Sequence, residues 1–231
     1  MDIKRATLED CDQEHDTVVA IDVLRAFTTA AYAFGGRVTE IILAALVQEA
    51  FLLRARFPGA LIAGEVDGYQ VEGFDLPNSP SVIIREDLAG RMLILRSTAG
   101  TQAVHRSTNA AHIFATALTN VSATARAVVA STPSSVTLVQ SGVGQGGWGD
   151  EDVACADLIE DALVGRPIQR ESILERTRAS RSGLHYLDPA HPTFPAQDLE
   201  LSMEIDRFDF AMVVNRSNGL LIMRPEGKAH A

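Results

Sequence analysis

Thr17-Val18-Val19-Ala20-Ile21-Asp22-Val23-Leu24, followed at once by Arg25-Ala26-Phe27-Thr28-Thr29-Ala30-Ala31-Tyr32-Ala33-Phe34 and then Gly35-Gly36, decides the fold class. The first eight residues show no alternation of apolar and polar side chains. Such a run is apolar on both faces, as a central parallel strand covered by helices must be. Asp22 interrupts it near its C-terminal end. The next ten residues read as a helix, which the glycine pair ends. A strand that passes straight into a helix is half of a βαβ unit.

Outward from this unit the alternation repeats. Val38 to Leu43 reads as a second strand and Ala60 to Gly64 as a third. Between them Leu46 to Phe57 reads as a helix with Leu46, Ala50, Leu53 and Phe57 on one face, closed by Pro58-Gly59. Met92 to Leu95, His112 to Ala115 and Val136 to Gln140 supply further strands. Helices follow from Gln102, from Asn120, and from Asp150-Glu151-Asp152, whose acids sit in the favourable first turn. The expectation is an α/β fold: a single domain with a mostly parallel sheet, helices on its faces, and a C-terminal α+β segment packed on it. That segment comprises helical stretches at 172–182 and 199–205 and strands at 210–214 and 220–223. Residues 1–16 are polar and acidic and are expected to be a lead-in to a domain at 17–231.

Composition limits the function. With 231 residues, 46% hydrophobic, the chain can bury one sizeable core. No apolar run is long enough to span a bilayer. Met1 to Arg5 is followed by acids and no apolar stretch, so no secretory signal is expected and the expected compartment is the cytoplasm. The net charge is −10, from 30 acids against 20 Lys and Arg, and the only lysines are Lys4 and Lys228. An acidic chain is a poor general binder of nucleic acid or anionic membrane. An anionic ligand must therefore be met locally, by arginine or a divalent cation. Cys11 and Cys155 make no disulfide framework, and Cys155 is expected in the core.

Ligands of open α/β sheets bind beyond the C-terminal ends of the strands. Four polar stretches fall there: Asp22 with Arg25, Thr28 and Thr29; Glu65 to Ser79; Ser97 to Thr101; and the glycine-rich Gly142 to Asp152. A loop as long and polar as Glu65 to Ser79 is uncommon unless functional or disordered, and Tyr69, Val71, Phe74 and Leu76 give it apolar anchors, so it is expected to be ordered. Together the parts suit a phosphoryl group. Gly/Ser/Thr turns at helix starts bind phosphate oxygens, and Arg25 offers a two-pronged donor. Asp22, Glu65, Asp75, Glu151 and Asp152 are hard oxygen ligands of the kind Mg²⁺ prefers. The glycine-rich stretch lacks both a phosphate-loop lysine and a dinucleotide register, and no His/Cys spacing suggests zinc.

The run Ile21 to Thr29 resembles the opening motif of the 2-phosphosulfolactate phosphatases. So does Gly64-Glu65 followed by Glu72-Gly73-Phe74-Asp75-Leu76-Pro77-Asn78-Ser79-Pro80. Ser97-Thr98-Ala99-Gly100-Thr101 resembles the third motif of that family and Glu151-Asp152-Val153-Ala154-Cys155-Ala156 the fourth, with a weaker echo at Asp206-Arg207-Phe208-Asp209. The resemblance implies the family's own α/β fold and Mg²⁺-dependent hydrolysis of the phosphate ester of a sulfonated hydroxy acid, giving sulfolactate and phosphate. In some organisms that step belongs to coenzyme M biosynthesis. On this reading Asp22, Glu65 and Asp75 are catalytic, and Asp22, Glu65, Glu151 and Asp152 hold the metal. Arg25, Thr28, Thr29, Asn78, Ser79, Ser97, Thr98, Gly100 and Thr101 bind substrate, and a homodimer is expected. Two departures stand out. Val66 occupies a place where the family usually has arginine, and Ala99 one where it commonly has asparagine. They point to a changed substrate, or alternatively to a catalytically silent homologue that binds a small organic anion.

Overall fold

The computed structural model describes residues 1–13, 16–144, 148–167 and 169–227. Its elements, in chain order, are β1 (Asp2–Ala6), β2 (Thr17–Ile21), α1 (Ala26–Gly35), β3 (Glu40–Leu43), α2 (Val47–Arg56), β4 (Leu61–Val66), β5 (Tyr69–Gln70), β6 (Leu76–Pro77), α3 (Pro80–Ile83), β7 (Met92–Arg96), α4 (Gly100–Arg106), β8 (His112–Thr116), a 3-10 turn (Leu118–Asn120), α5 (Val121–Ala130), β9 (Ser135–Gln140), α6 (Asp150–Val164), α7 (Arg170–Ala179), α8 (Arg181–Leu187), α9 (Ala196–Ser202), β10 (Phe210–Ser217) and β11 (Leu220–Gly227).

All these strands share one sheet, in the order β1-β9-β2-β8-β10-β11-β3-β7-β4-β5, with β6 beside β4. Two parallel halves, β1-β9-β2-β8 and β3-β7-β4, are joined by the antiparallel hairpin β10–β11. The hairpin pairs with β8 on one side and β3 on the other. The closing strands thus lie at the centre of the sheet, where the sequence reading had the C-terminal segment packed on it. Only α7, α8 and α9 pack outside, against α6 and α3. The lead-in also differs from its expectation, because Asp2–Ala6 forms an edge strand parallel to β9. Its charged Lys4 and Arg5 hid the strand, and charges of that kind keep an edge from recruiting another chain.

The helix α1 is buried from Ala26 to Phe34. A helix apolar all round belongs inside, and the sheet curls to enclose it. In strand order β8, β10, β11 and β3 separate β2 from β7. Yet the Gly100 amide, just after β7, donates to Asp22 Oδ2, just after β2, at 2.8 Å. The curl brings the C-terminal ends of the two half-sheets together above the start of α1. Phe27, Phe34, Phe210, Met212 and Met223 fill the core around that helix. A second apolar cluster, containing Ile21, Leu138, Leu158 and Cys155, packs β2 and β9 against α6. Burial pushes the Cys155 thiol well above its usual pKa, as expected of a core residue.

The long loop after β4 is ordered, with Phe74 and Leu76 buried and β6 paired to β4. Its approach depends on Gly64, which has φ +149°; a Cβ there would lie 2.1 Å from the Arg96 carbonyl oxygen. Only glycine lets β4 and β7 come this close beside Glu65. Gly64→Ala is therefore expected to cost at least about 2 kcal/mol from backbone strain and overpacking. Urea unfolding would register this as a lower midpoint at unchanged m-value.

Candidate active site

Asp22 leaves the end of β2 and is buried. Its Oδ1 accepts from the Ala26 amide at 3.0 Å and its Oδ2 from the Gly100 amide at 2.8 Å. Burial pushes its pKa up to about 7, and the negative charges of Glu65 and Glu151 add to the rise against the two amide bonds. Glu65, on β4, accepts from the Thr98 amide (2.5 Å), the Thr98 hydroxyl (2.9 Å) and the Gly68 amide (2.6 Å). It thereby fastens the loop after β4 to the turn after β7.

The first turn of α6 supplies two more acids. Asp152 bridges the ends of β2 and β9, accepting from the Val23 amide at 2.8 Å and the Gly142 amide at 2.7 Å. Burial first, then Glu151 and Asp22, raise its carboxyl well above the usual range. Glu151 is also buried and raised, chiefly by desolvation, and its Oε2 has no hydrogen-bond partner among the described residues. These raised acids have a definite consequence for stability. A carboxyl with a raised folded pKa stabilises the fold most below its unfolded value and loses that contribution as pH climbs through the folded one. For Asp22 the window runs from about 4 to about 7. In EDTA the melting temperature is expected to fall between pH 5 and pH 8, and Mg²⁺ should raise it more at pH 8 than at pH 6. Thermal melts at matched ionic strength check this.

Asp22 and Glu65 open onto a cavity of about 570 Å³, whose lining does not include Asp152. Its lining combines the polar Asp22, Glu65, Asn78, Thr98 and Ser141 with the apolar and aromatic Leu24, Ala99, Trp148, Tyr186 and Phe194. An adjoining lobe of about 390 Å³ shares Trp148, Tyr186 and Phe194 and reaches Glu151. Of the glycine-rich stretch, Gln145, Gly146 and Gly147 lie outside the described residues.

Not every expected site residue faces this cavity. Asp75 stands apart: it accepts from the Ile62 amide at 2.8 Å and meets Arg54 at 3.4 Å, pinning the loop to the edge of β4. The Thr28 hydroxyl donates to the Val23 carbonyl at 2.8 Å, and Thr29 is buried outside the cavity lining. Ser97 and Thr101 bond to each other across the start of α4, each amide donating to the other's hydroxyl at 2.9 Å. Gly100 contributes its amide to Asp22, and a Cβ there would lie 2.6 Å from Asp22 Oδ2.

Arg25 does reach the cavity, but its guanidinium is spoken for. Nη1 donates to Asp198 at 2.6 Å and Nη2 to the Gly68 carbonyl at 3.1 Å, while the group lies 5.5 Å from the Tyr186 ring centre and 5.1 Å from that of Phe194. Asp198, fully buried, also accepts from the Ser79 hydroxyl (2.8 Å) and the Ser81 amide (2.9 Å). Arg25 and Ser79 therefore tie α9 to the site loops instead of presenting donors to a ligand. Asn78 does line the cavity; it is buried and its Oδ1 has no partner among the described residues. Sequence reasoning missed Asp198, Tyr186 and Phe194, which come from the irregular C-terminal third. Trp148, beside its glycines, was the one visible signal.

The donor set suits a hard divalent cation of the Mg²⁺ type. Among the described residues no three acid, histidine or cysteine side chains are grouped closely enough to hold a metal ion by themselves. Mg²⁺ does not need one, because it keeps waters and takes one or two carboxylates plus phosphate. A buried carboxylate oxygen without a hydrogen-bond partner, on Glu151, near an Asp22 whose pKa is raised by burial and then by like charge, fits that demand. Asp22, Glu65 and Asp152 each also accept from backbone amides, so what they would offer a cation is the second lone pair of those oxygens.

Known proteins resemble this chain over much of its length. The family model described as 2-phosphosulpholactate phosphatase matches residues 3–188. A Bacillus subtilis protein named "Probable 2-phosphosulfolactate phosphatase" is 32% identical over 204 residues, covering 87% of this chain and 88% of that relative. A Deinococcus radiodurans protein of the same name is 36% identical over 150 residues, 64% of this chain and 62% of its own length. One from Carboxydothermus hydrogenoformans is 40% identical over 112 residues, 48% of this chain and 46% of its own.

Proposed function

This chain belongs to the 2-phosphosulfolactate phosphatase family, and from that premise we propose that it is a Mg²⁺-dependent phosphomonoester hydrolase acting on a small hydroxy-acid phosphate. The convergence of Asp22, Glu65, Glu151 and Asp152 at the joined strand ends carries the reading. An acid cluster would repel a phosphate dianion unless a cation lay between them.

Asp22 and Glu151 would hold the Mg²⁺, which when bound offsets their charge and draws electron density from the phosphoryl oxygens. Asp22, whose pKa is pushed up to about 7 when no cation is present, would be held as the carboxylate by a bound Mg²⁺ and so would present a fixed negative charge there. Asn78 Oδ1 accepts a hydrogen bond from a water or substrate hydroxyl and orients it. Glu65 and Asp152 keep the turn after β7 and the start of α6 in register with Asp22. Tyr186 and Phe194 give the cavity an apolar lining that limits water around the reacting group. No helix among the described residues is long and apolar enough to cross a membrane; a cytoplasmic location and a homodimer complete the proposal.

Phosphate release from a panel of phosphomonoesters, 2-phosphosulfolactate and 2-phospholactate included, tests it with Mg²⁺ and with EDTA. Turnover that disappears in EDTA is the expected result. The alternative, a silent binder of a small organic anion, draws on the commitment of Arg25 to Asp198. Folded protein that binds Mg²⁺ but releases phosphate from no ester would establish it instead.

A further inference from the structure

We infer that the ester taken by this site carries an apolar, ring-sized arm beside its phosphate and carboxylate, in place of a sulfonate; this rests on the phosphatase reading. The first argument is charge. Asp22, Glu65 and Asp67 line the main cavity, and among its described lining residues the one guanidinium or ammonium is that of Arg25. That group is 4% exposed and engaged by Asp198, the Gly68 carbonyl and two aromatic rings. Arg181 packs over the Trp148 ring at 4.4 Å and lines neither lobe. His185, in the second lobe, has its pKa lowered by burial and by His191. A single divalent cation answers a phosphoryl group. It leaves a sulfonate and a carboxylate to be desolvated against acids, which is unfavourable without a paired donor.

The second argument is shape and chemistry. The same cavity is also lined by Leu24, Ala99, Trp148, Tyr186 and Phe194. Phe194 meets Tyr186 edge-on at 5.4 Å and Tyr69 edge-on at 5.7 Å. Trp148 lines both lobes and is 37% exposed, although it is the largest apolar side chain there. An aromatic arm entering between these rings would bury apolar surface on both partners with edge-to-face contact available. In the reaction the water oxygen bonds to phosphorus and the ester P–O bond breaks. The departing alkoxide takes up a proton, giving the free hydroxy acid and inorganic phosphate.

A matched pair of esters tests this with purified wild-type protein and Mg²⁺: the phosphate esters of 3-phenyllactate and of 3-sulfolactate. They share the leaving oxygen and carboxylate and differ in the arm. The phenyl ester is expected to have kcat/KM higher by at least about tenfold. Trp148→Ala should shrink that ratio, mainly through KM of the phenyl ester. Good turnover with the sulfonated ester preferred would overturn this inference and leave the phosphatase reading standing. Release from neither ester, nor from any other phosphomonoester, would overturn both.

Discussion

Asp22→Asn is expected to lower phosphate release by about 10²- to 10³-fold, the range for losing one group that stabilises charge at the reacting centre, in a protein that still folds. The side chain keeps its shape, and removing the charge relieves repulsion with Glu65 and Glu151. The structural cost is confined to one amide. Asp22 accepts from both Ala26 and Gly100, and the carboxamide can accept from one of them while its NH₂ faces the other. That mismatch is worth about 1–3 kcal/mol, partly offset by the lost repulsion. Phosphate release and a thermal melt on the same preparation separate the two effects. A folded variant keeping more than about a tenth of the activity would remove Asp22 from the chemistry.

Asp198→Ala is expected to be the most destabilising substitution at the site. It would leave Arg25, 4% exposed, without its carboxylate, and would strip the Ser79 hydroxyl and the Ser81 amide of an acceptor. Breaking one side of a buried pair costs about 3–5 kcal/mol. Against a typical total of about 5–15 kcal/mol, that is a large share. The double variant Arg25→Met, Asp198→Leu should lose less than the sum of the single changes, because it removes the orphaned charge along with its partner. Urea midpoints of the four proteins measure the coupling. Additive losses would mean that the two side chains contribute independently and that the clasp is not what holds α9 to the loops.

These two residues mark how far the sequence could be read. Asp22 was legible because it interrupts a run of apolar residues at a strand end, a local signal. Arg25, three residues on, looked like an anion fork for reasons just as local. Its partner Asp198 lies 173 positions away, on a helix with no motif to announce it. Asp75 had the same difficulty: a carboxylate in a polar loop looks alike whether it faces a cavity or caps the Ile62 amide.

The sequence by itself determined the alternation of strands and helices from Thr17 to Gln140, the buried character of α1, and the order in which the polar stretches leave the strand ends. Each is a matter of period over a few residues, which backbone geometry imposes directly. Tertiary structure alone decided that β10–β11 joins the two half-sheets and that the sheet curls until Gly100 reaches Asp22. It alone decided that Tyr186 and Phe194 from the irregular tail wall the cavity. An apolar strand such as Phe210–Ser217 can satisfy its backbone against any of several neighbours, and its own residues do not say which. That choice is settled only when all the elements compete for the same core.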